Sequence, residues 1–273
     1  MTQLAQAITD KIHVILVNPQ DNLNIGSVLR AMHNLGYNKL HLVACDIFDP
    51  ARVRITACRA ECLIPDIQFH STLGEALQPM REVVGFSARS GRNRIHIESL
   101  PEYVGSFVSA SSVVVNTAFV FGREDTGLLH EDLELCSRLV KIPAHGDYTS
   151  FNLAQAVLLA LYSMREGLCG SKSEESVGGN LEPEQNELLA KWSDFQYLDS
   201  LVDSVLEYSR FYRKGTPQPI PGVVKRLMRR MRPTEREMGI LLGMFRRIEG
   251  VLSGRVPIGE RSIEKAIDKD YKG

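Results

Sequence analysis

The chain has 273 residues, 44% of them hydrophobic and 24% charged, with a formal net charge of −1. That length admits one large domain or two small ones with a sizeable core. The near balance of charge excludes a global field drawing the chain to nucleic acid or membrane, so any such attraction must come from uneven placement. The five cysteines, Cys45, Cys58, Cys62, Cys136 and Cys169, are odd in number and lack framework spacing, which argues against a secreted disulfide scaffold. Cys58 and Cys62 would share a helix face, but no second Cys or His pair stands at ligand spacing, so two small thiols are expected there and no metal site.

The N-terminal stretch MTQLAQAITDKIHVILV has no basic region followed by a long apolar one, so no signal peptide is expected. The longest apolar stretch, Leu153–Met164, is too short to span a bilayer. A cytoplasmic protein without membrane contact follows as the expectation.

The first part alternates strand and helix patterns. Val14–Val17 reads as a strand, and Ser27–Leu35 as a helix with Asn24 as its cap. Leu40–Ala44 is a second strand, Pro50–Leu63 a helix, and another helix begins near Thr72. Glu82–Ala88 and the region near Ala118–Phe121 are strands, HEDLELC is helical, Leu139–Ile142 is a short strand, and Ser150–Arg165 is a long helix. Alternation at this spacing predicts an α/β fold with a mostly parallel sheet.

The texture then changes. Residues 167–185, rich in Gly, Ser and Glu, read as a flexible linker after a first domain of residues 1–166. Residues 186–273 read as a small all-helical domain of about three helices. In GVVKRLMRRM, Val223, Val224, Leu227, Met228 and Met231 fall on one helix face and Lys225, Arg226, Arg229 and Arg230 on the other. In the next helix Thr234 and Glu237 make a capping box, and Met238, Leu241, Leu242, Phe245 and Ile248 an apolar stripe. Between Arg210 and Arg247 the only acids are Glu235 and Glu237, so a near-neutral chain gathers positive charge here. A phosphate backbone suits such a surface through counterion release, and a solvated helix face is the plainer alternative.

Three segments carry the chemistry. In NLNIGSVLR, Ile25, Val28, Leu29, Met32 and Leu35 would pack on the sheet while Arg30 projects away, and Gly26 permits a tight turn. A single early glycine excludes a dinucleotide fingerprint, which needs three. FVFGREDTGL ends a strand in Phe-Gly, where ligands of open α/β sheets bind and where Gly122 would let one approach the backbone. IPAHGDYTSFNLAQAVLLALYSM places Ser150 at a helix start with free backbone N–H groups, and the helix beyond Asn152 is apolar nearly all round, as if buried partly against another subunit. Each segment alone is also compatible with an ordinary surface arginine or a polar turn.

In this order the three segments resemble the SPOUT superfamily of RNA methyltransferases, in its SpoU/TrmH branch. The shared pattern is N-x-G-x-x-x-R, then F-G-x-E-x-x-G-L, then I-P with a loop containing S-x-N before a long helix. The likeness is closest to the subgroup that methylates the ribose 2′-oxygen of cytidine or uridine at tRNA nucleotide 32. Phe121–Glu124, Tyr148–Ala154, Phe86-Ser87-Ala88-Arg89 and the Val224–Pro233 texture carry it. The third segment departs from the pattern in Phe151 and in its loop AHGDYT.

The resemblance implies a trefoil-knotted α/β domain that works as a homodimer on tRNA. It implies S-adenosylmethionine held at Phe86, Ser87, Ala88, Gly122, Ile142, Thr149, Ser150 and Phe151, mostly through the backbone. Arg30 matches the family's catalytic arginine, supplied from the other subunit. A guanidinium is costly to deprotonate, so holding phosphate and stabilising a developing alkoxide is the role expected of it. Asn24, Glu124, Ser150 and Asn152 match polar positions that orient Arg30 or close the cofactor loops. Arg89, Arg92 and Arg94 are further candidates for RNA phosphate, beside Lys225, Arg226, Arg229 and Arg230. The alternatives are a 2′-O-methyltransferase of another tRNA position or of rRNA, and a non-catalytic RNA-binding protein.

Overall fold

The computed structural model describes residues 3–88, 97–109, 114–146, 150–170, 188–211 and 220–256. The chain opens with α1 (Gln3–Thr9) and β1 (Ile12–Val17), a strand of five aliphatic residues and His13 whose six residues are all buried. Val14 and Leu16 enter the core on one face of the sheet, Ile15 and Val17 the core on the other, as the two-residue period requires. α2 (Asn22–Leu35) follows, then β2 (Leu40–Val43) and α3 (Pro50–Ala57). The cap of α2 is Asp21, whose carboxylate accepts from the Leu23 amide at 2.9 Å, and the helix ends at Gly36 with φ of 84°. This corrects the expected start: α2 begins earlier than Ser27, and Asn24 lies inside it instead of capping it. Gly26 also has a different purpose from a turn. A Cβ there would stand 2.2 Å from the Val53 carbonyl oxygen, so Gly26 lets α2 and α3 pack in close contact.

α3 does not run on to Leu63 as expected. Cys58, with φ of 51°, breaks it, and residues 58–66 continue as a 3₁₀ helix. Next come β3 (Gln68–His70), α4 (Leu73–Leu77), β4 (Glu82–Phe86), β5 (Ile97–Ser99), α5 (Leu100–Ser109) and β6 (Thr117–Phe121). α6 (His130–Glu134), β7 (Arg138–Lys141) and α7 (Leu153–Gly170) complete the alternating part. β3 and β5 are three residues each, too short to leave a periodic signature, and with α5 they go beyond the sequence expectations. Among the described residues seven strands form one parallel sheet in the order β3-β2-β1-β6-β4-β7-β5. The connection order reverses at β1, with β2 and β3 on one side of it and β6 and then β4 on the other, and the carboxyl ends of β6 and β4 frame a crevice.

α7 extends to Gly170, which makes helical the first residues of the expected linker; residues 171–185 lie outside the described residues. α8 (Trp192–Tyr208), α9 (Ile220–Arg230) and α10 (Glu235–Leu252) follow. The Thr234–Glu237 capping box is present, with the Glu237 amide donating to the Thr234 hydroxyl at 3.2 Å. These helices share a core of Ala190, Phe195, Leu198, Val202 and Met238. They are also fastened to the sheet. Trp192 belongs to the core beneath α4, and its amide donates to the Met80 carbonyl at 2.9 Å. Arg81 reaches Glu235 at 2.8 Å, and Arg232 reaches the buried Glu82 at 3.1 Å.

Candidate active site

A cavity of about 680 Å³ opens at the carboxyl ends of β4 and β6, with the loop after β7 and the start of α7 closing it. Phe86 and Phe121, the last residues of β4 and β6, stack with centroids 4.5 Å apart and planes 8° from parallel, and both line it. Ser87, Ala88, Gly122, Ile142, Ser150 and Phe151 line it as the sequence leads one to expect. Thr149 lies outside the described residues. Arg123, Asp125, Thr126, Leu153 and Ala156 also line the cavity. Of these, Arg123, Asp125 and Thr126 stand within the FGREDTGL segment, but a strand-end motif marks the loop without saying which side chains turn inward.

Gly122 serves the loop before any ligand. A Cβ on it would lie 2.1 Å from the Gly127 carbonyl carbon. The segment folds back over Gly122, with paired hydrogen bonds between Arg123 and Gly127 at 3.2 and 2.9 Å and Gly127 at φ of 66°. The missing side chain of Gly122 lets the cavity wall turn, and Gly122 also lines the cavity where a ligand would approach the backbone. The Arg123 side chain is spent on Asp132, at 3.2 Å, which also accepts the Leu129 amide and so starts α6.

The three motif segments meet in one hydrogen-bonded chain. Glu124 accepts from the Gln20 amide at 2.8 Å and from the Asn24 Nδ2 at 2.9 Å. Asn24 Oδ1 accepts from the Asn152 Nδ2 at 2.9 Å, and Asn152 Oδ1 accepts from the Ala154 amide at 2.9 Å, capping α7. A carboxylate at the end of β6 thus fixes α2, and α2 fixes the entry to α7. Asn24, Glu124 and Asn152 brace the cavity loops against one another. Arg30 stands apart: it is exposed on α2, absent from the cavity lining, and its guanidinium lies 3.6 Å from the Cys58 sulfur.

The basic residues of α9 are placed otherwise than the helix pattern suggested. Val223, Leu227 and Met231 are 52%, 49% and 56% exposed, whereas Arg229 is 3% exposed and joined to Asp199. Lys225 reaches Asp203 at 2.7 Å and Arg226 reaches Glu134 at 3.1 Å. The expected outward basic face therefore turns inward onto carboxylates of α6 and α8, and of the four candidates only Arg230 is exposed. The physical reason is pairing: acids on neighbouring helices accept these cations, and part of the apolar face, Val223, Leu227 and Met231, is left outside. Arg89, Arg92 and Arg94 lie outside the described residues.

Residues 11–162 match the SpoU rRNA Methylase family. The chain is 32% identical over 238 residues to the tRNA (cytidine/uridine-2′-O-)-methyltransferase TrmJ of Yersinia pestis (strain Pestoides F), covering 87% of this chain and 91% of that protein. It is 31% identical to the TrmJ of Citrobacter koseri, over 89% of this chain and 98% of the relative. Among solved structures, TrmJ from Z. mobilis ZM4 superposes with a TM-score of 0.72 over 87% of this chain and 98% of that one, at 22% identity, a likeness of fold. A parallel sheet with its cavity at the switch point, three ordered motifs joined by one hydrogen-bonded chain, and this match over most of the length lead to one assignment: the chain belongs to the SpoU methylase family of RNA methyltransferases.

Proposed function

We propose that the protein methylates the ribose 2′-oxygen of a pyrimidine in tRNA, at nucleotide 32, with S-adenosylmethionine as donor. The observation that carries this reading is the chain Glu124–Asn24–Asn152, which ties the first motif segment to the two segments that line the cavity. The cavity fits the donor: its volume lies within the roughly 300–1,000 Å³ of small-molecule sites, it has an aromatic floor in Phe86 and Phe121, and it has polar loops at the rim. Phe86, Ser87, Ala88, Gly122, Ile142, Ser150 and Phe151 would hold it. When bound, the donor supplies an activated methyl group on a positively charged sulfur. The residues of this chain then have to align the attacking oxygen and exclude water.

Arg30 is the group for the oxygen. Its guanidinium steadies the negative charge that develops on the 2′-oxygen and holds the adjacent phosphate. Its position outside the cavity of its own chain supports a site completed in trans by a homodimer. The exposed apolar residues Leu158 and Tyr162, one turn apart on α7, supply a surface for that contact. The trefoil knot and a cytoplasmic location belong to the same reading. So does an RNA-contacting role for the exposed Arg230.

Transfer of labelled methyl from S-adenosylmethionine to unmodified total tRNA and rRNA, followed by nucleoside and position mapping, tests the proposal. A 2′-O-methylpyrimidine at tRNA nucleotide 32 is expected. Labelling of rRNA alone, or of another tRNA position, would discard the substrate, and absence of transfer to any RNA would discard the activity.

A further inference from the structure

We infer that Asp125, beside Glu124, makes the cavity select by charge, favouring the cationic methyl donor over its neutral thioether product. The inference rests on the reading of this cavity as the methyl-donor site. Of the side chains lining the cavity, those of Arg123, Glu124 and Asp125 are charged. Arg123 is matched by Asp132, which lies outside the lining. Glu124 receives neutral donors, the Gln20 amide and the Asn24 carboxamide. Asp125 accepts from the Gln20 side chain and from the Thr126 hydroxyl, the latter at 3.1 Å, and these bonds, the Gln20 one first, hold its carboxyl below the usual carboxylate range. Among the described residues neither Glu124 nor Asp125 forms an ion pair. Among the described residues the wall thus carries two carboxylates that no cation pairs with.

The donor has a sulfonium, an ammonium and a carboxylate, hence one net positive charge. On transfer the methyl carbon bonds to the 2′-oxygen, the electron pair of the broken C–S bond stays on sulfur, and the hydroxyl proton leaves to solvent. The thioether product keeps the ammonium and the carboxylate and is neutral overall. Shape and hydrogen-bonding groups barely change in this step, but charge changes by one. A negative wall is therefore the means by which this cavity separates two otherwise similar molecules, so that product gives way to fresh donor. Glu124 has both oxygens engaged in the brace between the motifs, so its replacement would disturb the loops as well. Asp125 stands outside that brace, is exposed, and can be changed alone.

Because Asp125 faces solvent, screening limits its effect to about three- to tenfold in affinity. Isothermal titration of the full chain with S-adenosylmethionine and with S-adenosylhomocysteine, for the wild type, Asp125→Asn and Asp125→Glu, tests the inference. The amide variant is expected to bind the donor about three- to tenfold more weakly and the product within about twofold of wild type, while the glutamate variant keeps the wild-type ratio. Raising the salt concentration should shrink the wild-type preference more than that of Asp125→Asn, which keeps only the Glu124 carboxylate. Parallel weakening of both ligands would assign Asp125 to shape alone and overturn the inference, as would an unshifted ratio. If the wild type bound neither molecule, the donor-site reading would fall and the inference with it. Binding of both with an unshifted ratio would remove the inference and leave that reading intact.

Discussion

At the cavity end of the sheet, Arg30, Glu124 and Asp125 have no ion-pair partner among the described residues, whereas in the C-terminal helices Lys225, Arg226, Arg229 and Arg232 are each joined to a carboxylate. The two regions hold similar charged side chains and use them differently. A charge that folding leaves exposed keeps its field for a ligand. A charge buried against an opposite one has its field cancelled, and its removal strands the partner. Residue type and helix position do not distinguish the two cases; the acids on neighbouring elements do.

The largest effect expected from this contrast is on the exposed side. Arg30→Ala should lower methyl transfer by about a thousandfold, in the range for loss of a transition-state charge donor, with donor affinity within about twofold of wild type, read by single-turnover assay beside titration. Equal loss of donor affinity would place Arg30 in the cavity instead. On the paired side, Arg229→Ala should destabilise the fold by about 3 kcal/mol, because Asp199 is left partly buried without its cation. Denaturant melts would show it, and a change under about 1 kcal/mol would mean that the pair is dispensable.

A third set of polar groups sharpens the comparison through pH. His13 Nδ1 lies 2.8 Å from His41 Nε2, and His41 Nδ1 lies 3.0 Å from His70 Nε2, across β1, β2 and β3. Burial, then the charges of neighbouring histidine and lysine, pushes His13 down to about 3 and His41 down to about 4. Both rings are neutral in folded and unfolded chains above the ordinary value of 6.5. Below it the unfolded chain takes up protons that the folded one refuses, so stability falls as pH drops from 6.5 towards 4. The slope is at most about 1.4 kcal/mol per pH unit for each histidine. Thermal melts at several pH values should show this loss, with a shallower slope in His13→Asn; an unchanged melting temperature between neutral pH and pH 5 would contradict it. The smallest effect concerns RNA. Arg230→Ala should weaken tRNA binding about threefold and reduce the salt slope by about one, while Lys225→Ala leaves both nearly unchanged. Equal effects of the two would erase the distinction between exposed and paired cations.

These outcomes bear on what the chain reveals before it is folded. The cavity was legible because its residues sit in motifs at strand ends, where backbone geometry sets the position and sequence order sets the loop. Phe86, Gly122, Ile142, Ser150 and Phe151, the positions that the family resemblance implies, all line the cavity. The start of α2 was missed because Asp21, outside the apolar repeat, supplies the cap. α9 departs from its sequence pattern for a tertiary reason. Its wheel has a clear apolar face, but Glu134, Asp199 and Asp203 draw the basic face inward, and no pattern within one helix records that. Nor did the change of texture near residue 170 show that Trp192 would return to the sheet core. Removal of the C-terminal helices would therefore uncover that core as well as any RNA-binding surface.

The central claim is that exposed Arg30 on one subunit works on the cavity of another, and complementation tests it most directly. Arg30→Ala removes the charge, and Gly122→Val forces open the loop that shapes the cavity. Each variant alone should be inactive in methyl transfer to tRNA. Co-expressed and co-purified as a mixed dimer, the two should regain activity, since one intact arginine then faces one intact cavity. Persistent inactivity of a verified mixed dimer would contradict the account.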